Sequence, residues 1–301
     1  MKAKITRKSF TFPVIFLVLF YSIAVWRFIK TGNVFYIYNF GYIGTVLAAG
    51  FFLTDVLPKE RFGTARRITQ LLIGSYLLLY VGLYRHENLQ IEGFWFYLFS
   101  GIFAGSTLHY FIAKIAGPFI FNRGWCGWAC WTGMILDFFP WKTTKNNYKR
   151  ASFIRYVYFI IIFIFSVIVY FILKEKKEAD EGMVEFYFFI FGNLLYYAAG
   201  IVLALILKDN RAFCKYICPI SVFMKIGAKY SLLKLEINPE KCITCRKCEI
   251  NCPMNIKLLE YKNRGERIQS TECIFCNTCT TGCPTKAITG SFKVDRILPK
   301  K

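Results

Sequence analysis

Twelve cysteines stand in this chain of 301 residues, and all of them fall into four tight groups. Two groups lie near the C-terminus: Cys242-Ile-Thr-Cys245-Arg-Lys-Cys248-Glu-Ile-Asn-Cys252-Pro253 and Cys273-Ile-Phe-Cys276-Asn-Thr-Cys279-Thr-Thr-Gly-Cys283-Pro284. Each reads C-x2-C-x2-C-x3-C-P. Three thiolates on one tight loop wrap a single iron–sulfur cubane, and the fourth, held ahead of a proline turn, reaches across to a second one. By that crossing, Cys242, Cys245, Cys248 and Cys283 are the expected ligands of one [4Fe–4S] cluster. Cys273, Cys276, Cys279 and Cys252 are those of the other. Zinc would need only four ligands per site, typically as two separated pairs, and a disulfide framework would need a small secreted domain. Neither suits this pattern.

The remaining four cysteines form two matching pairs. Asn122-Arg123-Gly124-Trp125-Cys126-Gly127-Trp128-Ala129-Cys130 and Asn210-Arg211-Ala212-Phe213-Cys214-Lys215-Tyr216-Ile217-Cys218 both read Asn-Arg-x-aromatic-Cys-x-aromatic-x-Cys. This is an internal repeat. Cysteines at i and i+4 share a face when the segment is helical. Two such pairs brought together would supply four thiolates, the number a tetrahedral metal or an iron–sulfur centre takes. Arg123 and Arg211 could offset thiolate charge, and the aromatic residues would give a dry shell. A thiol–disulfide role for each pair, or simple packing, are the alternatives.

The elements that must hold these groups are membrane helices. Hydrophobic residues make up 55% of the chain and aromatics 19%, both high for a soluble protein. Six segments approach the roughly 20 apolar residues of a membrane span: Phe10–Ile29, Tyr36–Leu57, Ile68–Tyr84, Phe94–Ile115, Phe153–Leu173 and Val184–Leu207. The net charge of +21 sits in short clusters between these runs, which reads as membrane orientation and not as a nucleic-acid face. Lys2, Lys4, Arg7 and Lys8, then Lys59, Arg61, Arg66 and Arg67, then Lys142, Lys145, Lys149 and Arg150 mark one side. Arg85–Glu87 and the acid-balanced Lys174–Glu181 mark the other. Both termini are therefore expected in the cytoplasm, with an uncleaved first helix and both cysteine pairs at the cytoplasmic face. Repeats related by an axis along the membrane normal place their motifs in this way.

Composition shifts after Leu207, so residues 1–235 are expected to form a transmembrane domain and 236–301 a cytoplasmic ferredoxin domain. The mixed apolar and basic stretch Ser221–Leu235 reads as an interfacial helix between them. The fold class is a membrane α-helical bundle plus a small α+β dicluster unit. His109 reads as a structurally hydrogen-bonded histidine. Asp55, Lys114 and Asp137 read as groups that snorkel or cap at helix ends. No G-x-G-x-x-G follows a strand, so no nicotinamide or flavin fingerprint is visible.

The tail resembles bacterial dicluster ferredoxins over about residues 238–290. Over roughly residues 90–290 the chain resembles the NosR/NapH-type membrane iron–sulfur proteins, whose members carry two C-x3-C-P motifs ahead of a dicluster ferredoxin domain. The second motif matches that pattern at Cys214, Cys218 and Pro219. The first departs from it, because Trp131 stands where the family has proline. The resemblance implies an electron-transfer component of a bacterial inner membrane and not a self-contained catalyst. Electrons would pass between a cytoplasmic partner or the quinone pool and a redox protein. A second class, kept open, is a maturation factor that reduces or handles a metal such as copper, since soft thiolates select Cu(I).

Overall fold

The computed structural model describes residues 7–58, 61–101, 105–141, 149–175 and 181–295. Lys2, Lys4, Lys59, Lys142 and Lys145, used above for orientation, lie outside these. Five helices are long and apolar enough to cross a membrane. They are α1 (Thr11–Thr31), α2 (Phe35–Val56), α3 (Phe62–Ser75) continued by a π-helical stretch Tyr76–Tyr84, α9 (Ile154–Glu175) and α10 (Glu181–Leu207). α1 ends where Gly32 takes the left-handed conformation at φ +67° and its N–H returns to the Phe28 carbonyl, the usual glycine stop. α1 and α9 turn large apolar side chains outward, with Val18 61% and Ile160 55% exposed. That suits a surface bathed in lipid.

The expected span Phe94–Ile115 is not one helix. It opens as α4 (Ile91–Phe99), stops at Ser100 and Gly101, the latter at φ +69°, and resumes as α5 (Gly105–Tyr110), a π-helical turn Phe111–Ala116 and α6 (Gly117–Phe121). An α-helix cannot pass through a left-handed residue, and a hydropathy window averages over such a break. α4 packs on α9, and α6 packs on α12 (Ile220–Lys229).

Three short helices carry the membrane-side motifs: α7 (Gly124–Trp128), α8 (Trp131–Leu136) and α11 (Ala212–Tyr216). The stretch Ser221–Leu235 is only partly helical. After α12 the chain enters strand β1 (Leu233–Ile237), which pairs antiparallel with β2 (Ile288–Phe292) in the register Leu235 to Gly290. β1 therefore crosses the 235/236 division. Between the two strands lie α13 (Lys247–Ile250), α14 (Leu258–Asn263) and α15 (Thr278–Gly282). Arg267 ties the strand ends together: it donates to Asp295 Oδ1 at 2.7 Å and to the Leu232, Ser291 and Lys293 carbonyls.

Two further sequence expectations change. Lys114 and Asp137 are 1% and 4% exposed, buried inside the bundle with partners and not snorkelling at an edge. Asp55 is exposed, as its helix-end position implied.

The helices close on glycines. A Cβ at Gly44 would lie 2.6 Å from Phe20 Cβ, and one at Gly50 would lie 2.7 Å from Thr69 Cγ2 and closer still to its hydroxyl. Thr69 is branched at Cβ and stiff. Gly50→Val is expected to cost about 1–3 kcal/mol as overpacking, read as a lower thermal midpoint in detergent. Gly63→Ala, with nothing within 4 Å of the added carbon, should leave that midpoint unchanged or higher.

Candidate iron–sulfur centres

Each ferredoxin loop uses the left-handed backbone three times at equivalent positions. Thr244, Arg246 and Asn255 in the first half match Phe275, Asn277 and Lys286 in the second, all with φ between +50° and +57°. None of the six is glycine. Alternating right- and left-handed residues turn successive N–H groups inward and form an anion-binding concavity, which suits an anionic cluster with its thiolates. Sequence spacing located these loops, but no residue type announced their strain.

The loops enclose two cavities. One is lined by Cys252, Cys273, Cys276 and Cys279, with Leu235, Met254, Ile256 and Ile268 among its apolar walls. The other is lined by Cys242, Cys245, Cys248 and Cys283 with Ile237 and Leu259. Their setting differs. Cys252, Cys273, Cys276 and Cys279 are all buried, whereas Cys245 is exposed and Cys242 half-buried. Burial pushes the Cys273 thiol up to about 12 and Cys252 to about 11, with neighbouring Cys276 adding to both. Cys283 is the exception. Burial raises it too, but the Thr285 hydroxyl and the Ala287 N–H at 3.3 Å hold it below its ordinary value.

The four remaining cysteines are gathered at one place by charged side chains. Asp137, at the end of α8, accepts from Arg211 Nε at 2.8 Å and Nη2 at 2.5 Å, and from Arg66 Nη2 at 2.8 Å. Arg211 Nη1 also donates to the Cys126 carbonyl at 3.2 Å and lies 3.8 Å from Cys214 Sγ. Gln70 Nε2 donates to the Cys126 and Cys130 carbonyls, and Arg66 Nη1 donates to the Gly127 carbonyl at 2.7 Å. α7 and α11 start at equivalent residues and end alike. Cys130 and Cys218 each donate their N–H at 3.0 Å to the aromatic residue five positions back. Trp131 occupies the first turn of α8 just after Cys130, whose sulfur accepts from the Gly133 N–H at 3.4 Å. The first helical position tolerates proline because its N–H is unused there, and Trp131 stands at that position.

The four thiols act on one another. Burial raises Cys130 to about 12, and Cys126 and Cys214 push it the same way. Cys218 is raised by burial and then by Cys214, Cys126 and Cys130. Four thiols this close in a dry site ionise together only around a positive centre. Four cysteine thiolates are a donor set that an iron–sulfur cluster takes.

The membrane part and the ferredoxin part meet over this site. Trp128 Nε1 donates to the Phe275 carbonyl at 2.9 Å. Lys215 Nζ bonds Asp209 at 2.6 Å and Asn255 Oδ1 at 2.9 Å. Glu272, next to Cys273, pairs with Arg123 at 2.7 Å, Arg155 at 3.1 Å and Lys225 at 2.8 Å. Gly127 lies directly against the Ile274 carbonyl, with no room for a Cβ. Arg123, expected to offset thiolate charge, lies within electrostatic reach of Cys126, Cys214 and Cys218 and also spends one nitrogen on Glu272. Its Nε and Nη2 have no partner among the described residues. Gln70 and Glu272 escaped the sequence reading, and Arg66 and Asp137 entered it only as a loop charge and a helix-end group.

A cavity of about 170 Å³ opens beside the site between α1, α2 and the α5–α7 region. Phe16, Phe20, Phe51, Trp125, Trp128 and Phe275 are among its walls, and His109 is the titratable group there. His109 is 5% exposed and its Nε2 has no partner among the described residues. Its ring meets Trp125 edge-on at 4.9 Å.

These features define a membrane iron–sulfur protein that works in electron transfer. Comparison with known proteins bears this out. The chain matches the model of a 4Fe-4S dicluster domain over residues 234–284 and that of a 4Fe-4S binding domain twice, over 94–146 and 191–238. The double match follows the internal repeat. An uncharacterized protein of Methanocaldococcus jannaschii is 27% identical over 73% of this chain and 85% of its own length. The ferredoxin-type protein NapH of Haemophilus influenzae is 27% identical over 44% of this chain and 48% of its own. YccM of Escherichia coli, a protein named for electron transport, is 25% identical over 48% of this chain and 45% of its own. No solved structure matches the chain. The resemblance to NapH-type membrane iron–sulfur proteins carried by the cysteine motifs is thus the one the comparisons support.

Two outcomes test this interface. The three cations hold the Glu272 carboxyl down at about 2 although burial opposes them. A carboxylate depressed in the folded state stabilises above its ordinary value, near 4.5, and loses that contribution as pH falls through about 2. Protection of 270–276 from hydrogen exchange should therefore persist at neutral pH and fade on acidification, and in Glu272→Gln it should already be low at neutral pH. Gly127→Val should separate the two parts and slow electron exchange between them at least tenfold in stopped-flow reduction. Gly63→Ala, where nothing lies within 4 Å of the added carbon, serves as its control.

Proposed function

We propose that the chain carries electrons between a redox partner and the membrane through three iron–sulfur centres in series. Cys242, Cys245, Cys248 and Cys283 hold the outermost cluster, and Cys273, Cys276, Cys279 and Cys252 hold the middle one. Cys126, Cys130, Cys214 and Cys218 together hold the innermost. The observation that carries this reading is the arrangement of the twelve thiols. One cavity has an exposed cysteine, the next is buried, and the Phe275 carbonyl in the loop around it accepts from the indole of Trp128, which stands between Cys126 and Cys130 in sequence. Bound clusters supply one-electron chemistry at potentials set by charge, hydrogen bonds and solvent. The protein supplies the order of burial, the cationic Arg211 and Arg123, and the dry aromatic shell.

In this reading residues 1–235 are the membrane part and 236–301 the ferredoxin part, β1 joining them. The membrane is the inner membrane of a bacterium with both termini in the cytoplasm, as the loop charges favour. The apolar cavity with His109 is shaped for a quinone: aromatic walls for the ring, one polar group for a quinone oxygen, and Trp128 and Phe275 leading to the clusters. A maturation role, with copper held by the C-x3-C cysteines, is the alternative.

Iron analysis of the purified full chain separates the readings. About twelve irons per chain are expected from three cubanes, and about eight in Cys214→Ser/Cys218→Ser. Equal iron in the two proteins sinks the third centre, and stoichiometric Cu(I) lost in that variant would point to maturation instead. For the quinone, His109→Leu should lower the rate of cluster reduction by a short-chain quinol severalfold while dithionite still reduces the clusters.

A further inference from the structure

Away from the cysteines, the bundle holds a line of polar side chains in its interior. Asn88, Gln90, Lys114, Glu185 and Asn193 are each no more than 6% exposed. Asn88 Nδ2 donates to Glu185 Oε2 at 2.9 Å, and Asn88 Oδ1 accepts from the Gln90 N–H at 3.0 Å. With its amide turned to suit its neighbours, Gln90 donates to the Glu92 carboxylate and accepts from Asn193 Nδ2 at 2.9 Å. Asn193 Oδ1 accepts from the Trp131 indole N–H at 2.8 Å. Trp131 is the residue that departs from the proline of the second motif, and it adjoins Cys130. Lys114 Nζ lies 4.8 Å from the Trp131 ring and donates to the Leu89 carbonyl at 2.7 Å. Gly192 leaves room that a Cβ would take from Gln90 and Glu92.

This line has a direction. At 1.5 Å per residue, Glu185 and Asn193 are about 12 Å apart along α10, and the cysteine-bearing end at Leu207 is about 21 Å further. Glu185 thus lies at the end remote from the ferredoxin part, under the turn where His86 packs on Phe186 at 4.2 Å. Around Glu92, every packed element contributes a titratable group: Glu185 and Tyr196 from α10, Tyr158 from α9, Tyr110 from α5 and Lys114 from the turn after it. Tyr110, Tyr158 and Tyr196 are also within electrostatic reach of Cys218. The hydroxyls of Tyr110 and Tyr196 are buried with no partner among the described residues.

Ionisable groups inside a membrane part are costly and mark ion or proton routes by default. Charge added to a dry site is poorly screened, so a negative charge arriving at the thiolate set favours protonation nearby. We propose that Glu92 takes up one proton, passed from Glu185 at the remote end, when one electron reaches Cys126, Cys130, Cys214 and Cys218. Asn88 and Gln90 hold the two carboxylates in place. Trp131 and Lys114 couple the line to the thiols. One electron, supplied by the ferredoxin clusters, and one proton, supplied by water at the remote end, enter together. No bond at the thiolates is made or broken, and reoxidation returns the proton. The inference rests on the reading that these four thiols hold a redox centre.

The test is a potentiometric titration of that centre in the full-length protein, followed by electron paramagnetic resonance from mildly acidic to mildly alkaline pH. In the wild type its redox equilibrium should shift tenfold per pH unit, about 59 mV for one electron. In Glu92→Gln it should be flat, with the ferredoxin clusters and iron content unchanged. A pH-independent wild-type centre overturns the proposal without any variant, as does a Glu92→Gln slope equal to wild type. A pH-indicator dye gives a second reading: Glu92→Gln should take up one proton fewer on full reduction, and equal uptake counts against it. Failure of the underlying reading looks different. It shows as iron unchanged in Cys214→Ser/Cys218→Ser and no third signal to titrate, and it removes both.

Discussion

Asp137 carries the arrangement of the membrane-side cysteines. One buried carboxylate takes Arg66 from α3 and Arg211 from the second motif, and each arginine then reaches a backbone carbonyl of the first motif. Through this single anion, helix α3 and both halves of the internal repeat are fixed to one another. Its carboxyl stays below the ordinary range because, although burial opposes ionisation, two guanidiniums favour it. Breaking such a buried set leaves cations without a counter-charge, which typically costs about 3–5 kcal/mol. The arginines that might have neutralised thiolates are thus largely committed to carboxylates: Arg211 to Asp137 and Arg123 to Glu272. What they offer the thiolates is their remaining N–H groups.

The same logic repeats one layer out. Glu272 does for Arg123, Arg155 and Lys225 what Asp137 does for Arg66 and Arg211. Two carboxylates, each surrounded by cations from several elements, stack the ferredoxin loops over the repeat. Between them the two parts touch, at Gly127 against the Ile274 carbonyl and through the Trp128 indole N–H on the Phe275 carbonyl. The second motif carries Lys215 where the first carries Gly127. It reaches Asn255 through a side chain instead of by contact. The repeat is symmetric in its backbone and asymmetric in how it grips the ferredoxin part.

Much of this was legible in the sequence. Cysteine spacing located every thiol that lines a cavity or joins the buried set, because ligand geometry constrains neighbours along the chain. Apolar runs located the five long helices, because a membrane span is a local property. What could not be read came from distant pairings. Arg66 and Asp137 are 71 residues apart, and Arg211 and Asp137 are 74. Nothing local distinguishes a lysine that snorkels from Lys114, which sits inside the bundle. The interruption at Gly101 was invisible for a related reason: glycine is common in membrane helices, and only the rest of the fold decides whether it bends the chain. The left-handed Thr244 and Phe275 are strained against their own preferences, which places the cause in the loop they enclose.

Each ferredoxin cavity has walls from both halves of its repeat, Cys252 facing the later loop and Cys283 the earlier one. This has a consequence for biosynthesis. Translation delivers Cys242, Cys245 and Cys248 well before Cys283, so the first half cannot finish its own cavity while the chain is being made. Nor can the second half be completed alone, since it depends on a cysteine already extruded. The cell must keep Cys242, Cys245 and Cys248 reduced and uncommitted until Cys283 arrives, whereas the set of Cys252, Cys273, Cys276 and Cys279 is complete once Cys279 is made. Strand β2, which closes the unit by pairing with β1, is also made after every one of these cysteines. Loading of cofactor is therefore expected to follow synthesis and closure of the whole tail, and a truncation within β2 should leave a protein that is inserted in the membrane yet pale.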